Sequence, residues 1–171
     1  MMTLKATCIE EELYRPYGAV ICADGDQAEG KSANQGTATR YNHLAKFLNE
    51  REGAADTTVS VFRVNPWMDN EFKVELLEKH PHSTQIFIPM NAVSYLAIVA
   101  LGGERPDLST LSAFLVKPNQ AITYHPGVWH HPMVALEGVT DFVAMSCEDG
   151  SPGDCTEYYL MPEERMQISI S

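Results

Sequence analysis

Five of the six histidines of this chain fall in two short stretches. The first is Glu78-Lys79-His80-Pro81-His82-Ser83-Thr84-Gln85, and the second is Tyr124-His125-Pro126-Gly127-Val128-Trp129-His130-His131-Pro132. Imidazoles change charge near neutral pH and serve as general acid–base groups or metal ligands. His80 precedes Pro81, which biases its backbone to an extended form and can hold the ring toward a cavity. Gln85 offers both a donor and an acceptor, suited to an amide or to a strand end. His130 and His131 are neighbours, so on a strand they face opposite ways and at most one enters a cavity. Tyr124 and His125 alternate in the same way, and periodicity does not choose between them. Arg40 can hold an anionic group such as a carboxylate, which a guanidinium fork matches in a bidentate way, with a surface arginine as the alternative. Asp141, in an otherwise apolar run, can orient a histidine or pair with a cation inside. Trp129 reads as packing.

The elements that must position these groups read as strands. Val59 to Val64 is β-branched and ends before Pro66. Lys73 to Glu78 alternates imperfectly, and Thr84 to Ile88 stops at Pro89. Tyr95 to Leu101 is a nearly continuous apolar run, as in a strand buried on both faces. Phe114 to Lys117, Ala121 to Tyr124, His131 to Leu136, Val139 to Ser146 and Thr156 to Leu160 complete the set, separated by Pro/Gly turns. Asp107 or Ser109 can cap a single helical turn before Leu111. Asp24 to Thr39 reads as a long polar loop, and Arg40 to Glu50 as a short helix. Short strands at this spacing predict a β-sandwich or β-barrel with few short helices, not a βαβ fold.

At 171 residues the whole chain, 1–171, reads as one domain able to bury a core without disulfides or structural metal. The net charge of -11 argues against nucleic acid and anionic membranes, and requires a site for an anion to carry its own cation. No run is long enough to span a bilayer, and the N-terminus, with Glu10, Glu11 and Glu12, lacks a signal-peptide core, so a cytoplasmic protein is expected. Cys8, Cys22, Cys147 and Cys155 have no CxxC spacing and read as free thiols.

The two histidine stretches resemble the paired motifs of the cupin superfamily. His80-x-His82 with Gln85 stands for the first motif and Gly127-x-x-His130 for the second, with His125 where that motif prefers Pro. A longer resemblance runs roughly from residue 13 to residue 147. His80-Pro81-x-x-Thr84-Gln85-x-Phe87-Ile88-Pro89-Met90, Val99-Ala100-Leu101-Gly102 with Pro106 to Phe114, Tyr124-His125-x-x-Val128-Trp129-His130-His131-Pro132 and Thr140-Asp141-Phe142 are similar to the ureidoglycolate lyase family. Tyr17-Gly18 and Arg40-Tyr41 fit more loosely.

That resemblance implies a cupin-like double-stranded β-helix, a β-barrel whose cavity splits (S)-ureidoglycolate into glyoxylate and urea in allantoin degradation. It implies His80, His130 and Gln85 as catalytic, and Arg40, Tyr124 and His125 as substrate-binding. It also implies a homodimer and the option of a divalent metal, nickel by resemblance, on His80, Gln85 and His130 with His82. The rival readings are a metal-dependent cupin dioxygenase or isomerase, and a non-catalytic cupin that binds a small ligand.

Overall fold

The computed structural model describes residues 2–25, 28–51, 53 and 55–170. The β-branched and aromatic runs, cut by Pro and Gly, form eighteen strands among these residues. In chain order the first nine are β1 Met2–Lys5, β2 Thr7–Cys8, β3 Val20–Ile21, β4 Gly30–Ala33, β5 Ala38–Tyr41, β6 Asp56–Val64, β7 Pro66–Trp67, β8 Glu71–Val74 and β9 Leu76–Lys79. The others are β10 Gln85–Pro89, β11 Ser94–Ala100, β12 Ser112–Val116, β13 Ala121–Tyr124, β14 Trp129–His130, β15 Val134–Leu136, β16 Thr140–Glu148, β17 Thr156–Tyr159 and β18 Met166–Ser169. One α-helix, α1 Glu11–Tyr14, and two 3-10 turns are the helical content. Asp107 is the cap of the turn Leu108–Thr110, its carboxylate accepting the Ser109 N–H at 3.0 Å.

The fold is mainly β, built in three layers rather than closed into a barrel. A five-stranded antiparallel sheet runs in the order β3-β13-β10-β16-β6. It faces a sheet with the path β17-β9-β14-β11-β12-β2, to which β15 and β7 are added. The order β1-β18-β8 forms the third layer, and β4-β5 a separate hairpin.

Strand β11 explains the layering. Tyr95, Ala97 and Val99 join Phe87, Ile122, Tyr124 and Phe142 in one core. Leu96, Ile98 and Ala100 join Leu77, Trp129, Phe72 and Ile168 in another. Alternation puts successive side chains on opposite faces, so a strand apolar at every position needs cover on both sides.

Several local readings change. The imperfect alternation of 73–78 is two strands, β8 and β9, in different sheets, with Glu75 between them. Of the stretch 131–136 only Val134–Leu136, β15, is strand; β14 ends before it at His130, and 131–133 connect the two. The expected helix at 40–50 is instead the end of β5 and an irregular segment whose Leu48 and Thr84 exchange hydrogen bonds. In the polar loop 24–39, of which 26 and 27 lie outside the described residues, β4 and the start of β5 form a hairpin that runs on to Tyr41. Asp141 does not point inside. Its register opposite Arg63 puts it on the outer face of the five-stranded sheet, in a bidentate ion pair at 2.8 Å for each bond.

Candidate active site

The two histidine stretches meet where β9, β10, β13 and β14 end between the two large sheets. Gly127 brings them together. It adopts a left-handed turn, φ 77°, that favours glycine, and its N–H donates to the His80 carbonyl at 2.9 Å. The chain then enters β14, where His130 lies in register opposite Glu78 of β9. The His130 ring stacks on Tyr124 at a 4.0 Å centroid distance and lies 5.6 Å from His80. Cross-strand pairing puts Gln85 beside Tyr124 on the inner face of the five-stranded sheet.

Backbone carbonyls fix both rings. His80 Nδ1 lies 2.9 Å from the Asp154 carbonyl, and His130 Nδ1 lies 3.1 Å from the Val128 carbonyl. A carbonyl only accepts, so each Nδ1 carries the proton and a neutral ring presents a bare lone pair at Nε2. Both Nε2 atoms are buried and have no hydrogen-bond partner, and Gln85 Oε1 shares that condition. His130 Nε2 is 3.5 Å from Glu78 Oε1. One oxygen of Glu78 and one nitrogen each of His80 and His130 lie within 4.8 Å of one another.

The electrostatics follow from burial and from this grouping. Burial lowers the pKa of His80, with His130 adding to the effect, against the raising influence of Glu78, the Asp154 carbonyl and Glu148. For Glu78, burial pushes upward, but His130, whose Nε2 lies 3.5 Å away, with His80 and His131 behind it, holds the carboxyl below its ordinary value. Burial, then Glu78, raises Tyr124 far above the usual phenol range. Its hydroxyl stays protonated and donates to Met133 Sδ at 3.7 Å. The Cys155 thiol is pushed up to about 11, first by burial and then by Glu78. It is a thiol at neutral pH, not a nucleophilic thiolate.

The structure therefore gathers His80, His130, Gln85 and Tyr124, with Tyr124 as a stacking wall. It does not gather the other sequence candidates. His125 is exposed on the opposite side of β13, with Nε2 3.2 Å from the Arg15 carbonyl. His131 alternates away from His130 and sets its ring edge-on to Phe72 at 4.9 Å. His82 is exposed because the chain turns at Pro81, so the two-residue spacing of a strand does not carry His82 to the side of His80. Arg40 is exposed on the β4-β5 hairpin opposite Lys31, with no ion-pair partner among the described residues. Glu78 is the group the sequence reading passed over. Its signal was its place two residues before His80, but its role depends on a long-range register. A separate cleft of about 450 Å³ beside α1, lined by Glu11, Arg15, Gly18 and Val20, contains no histidine.

Two imidazoles, a carboxylate and an amide converging between β-sheets define a class of small β-sheet protein with acid–base or metal-binding capacity. The chain matches the family described as ureidoglycolate lyase over residues 1–168. It is 38% identical over 154 residues to the ureidoglycolate lyase of Salmonella typhimurium, covering 90% of this chain and 92% of that protein. It is 36% identical over 165 residues to the ureidoglycolate lyase of Escherichia coli O9:H4, covering 96% and 98%. Among solved structures it is similar to a dTDP sugar isomerase from Desulfovibrio desulfuricans G20, with a TM-score of 0.49 and 14% identity, covering 87% of this chain and 89% of that one. The chain belongs to the ureidoglycolate lyase family.

Proposed function

We propose that this protein is a ureidoglycolate lyase that eliminates urea from (S)-ureidoglycolate to leave glyoxylate, as a step of allantoin degradation. The observation that carries the reading is the convergence of two buried, unpartnered Nε2 atoms beside one carboxylate. Family membership supplies the substrate. The substrate bears a hydroxyl and a ureido nitrogen on one carbon, next to a carboxylate. One group takes the hydroxyl proton. The electron pair that the O–H bond leaves on oxygen forms the π bond of the aldehyde carbonyl as the C–N bond breaks, and a second group protonates the nitrogen that departs with the C–N pair.

His80 is the base in this reading. Its Nδ1 proton is committed to the Asp154 carbonyl, and its depressed basicity keeps Nε2 free at neutral pH. His130 is the acid in its doubly protonated form, Nδ1–H on the Val128 carbonyl and the transferable proton on Nε2, 3.5 Å from the Glu78 carboxylate. Gln85 Oε1 accepts an N–H of the ureido group.

The same donor set fits a divalent ion. Two imidazole nitrogens and one carboxylate are the ligands of many octahedral sites with open positions, and such N/O donors suit nickel. A bound ion would polarise the hydroxyl and carboxylate oxygens of the substrate and supply the cation that Arg40 does not bring. One Nε2 lone pair cannot hold a metal and a proton together, so the two readings divide on chelation. Purified protein should release urea and glyoxylate in equal amounts from ureidoglycolate. No turnover with or without added nickel or manganese would remove the assignment, and loss of turnover on chelation would move His80 and His130 from proton transfer to metal binding.

The working form is a cytoplasmic homodimer in this proposal. All four cysteines are free thiols, and no helix among the described residues is long and apolar enough to cross a membrane. Edge strand β6 exposes Val59, Val61 and Phe62, apolar surface that a two-fold partner can cover. Sedimentation at micromolar concentration should give the mass of two chains, and the mass of one chain would reject the dimer.

A further inference from the structure

The loop 149–154 reaches the active site through the Asp154 carbonyl, which accepts the hydrogen bond of His80 Nδ1 at 2.9 Å. That residue is tied down on its other side. The Asp154 carboxylate accepts the N–H of Asp149 at 3.1 Å and of Gly150 at 2.7 Å, which closes the loop on itself. It also receives Arg51 Nη2 at 2.5 Å, while Arg51 Nη1 pairs with Asp149. The Arg51 side chain is only 14% exposed, so its charge is largely withdrawn from water and is held by these two carboxylates.

Arg51 is anchored from behind as well. Leu48 N–H donates to Thr84 Oγ1 and Thr84 N–H to the Leu48 carbonyl, both at 3.0 Å. Glu50 N–H donates to the His82 carbonyl at 2.7 Å. The segment 48–51 is thereby fixed along the stretch between His80 and Gln85. From there Arg51 extends to the loop that holds the His80 ring. One side chain links the backbone carrying the site to the carbonyl orienting it.

We propose that Arg51 is a positioning residue of this active site, which through Asp154 locks His80 in the Nδ1-protonated tautomer. The inference rests on the reading of His80 as a working group of the lyase site. Without the guanidinium, Asp149 and Asp154 keep only the N–H donors of their own loop and have no cation between them, and their repulsion loosens it. The Asp154 carbonyl then leaves His80 Nδ1. A neutral imidazole released from that acceptor can place its proton on Nε2, the atom that has to be bare.

The test is Arg51→Met, with Arg51→Lys and Asp154→Asn beside it. Nitrogen NMR of the histidine rings reads the tautomer of His80 without substrate, and steady-state kinetics reads its consequence. Arg51→Met should shift His80 toward the Nε2-protonated form and lower kcat about 10–100-fold, the usual range for partners that orient a working histidine, with KM little changed. Arg51→Lys should recover part of both, because one cation still bridges the loop. Wild-type kcat in Arg51→Met overturns the proposal. So does a loss of activity with the His80 ring unchanged, which would mean that Arg51 acts elsewhere. If Arg51→Met does not fold, Asp154→Asn decides, since it keeps the carbonyl and removes the charge. An unchanged His80 tautomer in that variant also overturns the proposal. Failure of the wild-type protein to cleave ureidoglycolate would remove the function and leave the ring measurement standing, so the two failures are distinguishable.

Discussion

The two faces of the β14 stretch do opposite work. Trp129 and His131 face the core shared with the three-stranded sheet, and each has a ring nitrogen hydrogen-bonded to a backbone carbonyl. Trp129 Nε1 donates to the Gly103 carbonyl at 3.3 Å, with the Lys79 amine 4.6 Å from its ring centre. His131 Nδ1 donates to the Pro132 carbonyl at 2.6 Å. His130, between them, faces the other way, where His80 Nε2, His130 Nε2 and Gln85 Oε1 are buried without partners. A buried polar atom left unpaired destabilises a fold by about 1–3 kcal/mol. The remaining unpaired buried side-chain atoms among the described residues are Nε of Arg51 and Arg165, whose other nitrogens are ion-paired. The inner face alone gathers three unpaired atoms in one place, and a ligand entering there supplies what the fold withholds. The comparison separates side chains that hold the protein together from side chains that meet the substrate, although they are neighbours in sequence.

The largest effect expected from this division is on turnover. His80→Ala and His130→Ala should each lower kcat by about 10²–10⁴-fold, the usual contribution of a general acid or base, and leave thermal stability close to wild type. Wild-type turnover in both variants would place the chemistry elsewhere. Extensive unfolding in both would break the comparison itself, since the inner face would then be structural.

The opposite effect belongs to the outer face. Trp129 is fully buried, and Trp129→Ala should lower stability by about 3–5 kcal/mol through the cavity it leaves. The fraction that remains folded should keep most of its kcat. Denaturant unfolding measures the first quantity, and activity normalised to folded protein measures the second. A variant of normal stability that has lost its activity would place the indole at the site rather than in the core.

How much of this division was legible in the sequence depends on the range of the interaction. The strand runs at 59–64, 95–101 and 121–124 announce themselves because alternation and β-branching are local properties, and β11 was readable as doubly buried for that reason. Opposite facing of His130 and His131 also follows from local periodicity, while the inward choice was suggested only by motif spacing. What was not legible is long-range. Glu78 matters because β9 pairs with β14, and nothing in a run of charged residues near 78 states that register. The strands β1 and β18 pair in parallel across nearly the whole chain, so neither end read as structure. Arg40 was chosen for its chemistry, and chemistry alone does not say that its segment folds into an exposed hairpin.

The smallest expected effect is on pH dependence, and it distinguishes the two faces without removing either. Burial lowers the pKa of His80 and also of His131, so both rings stay neutral in the folded protein at pH values where an ordinary imidazole takes up a proton. Below the unfolded value of about 6.5 the unfolded chain binds protons that the folded one refuses. The stability from each group is therefore fully present above about pH 6.5, and it is lost as pH falls toward and through the lowered folded value. Each unit of lowering corresponds to about 1.4 kcal/mol at most. For activity the base must be neutral, so kcat/KM should fall on the acid side, with its midpoint below about 6.5. His131→Phe keeps a ring against Phe72 and removes one titration. It should flatten part of the acid loss of stability and leave the acid limb of kcat/KM in place. A limb that moves with His131→Phe would show that the two faces of this stretch are coupled in function as well as joined in sequence.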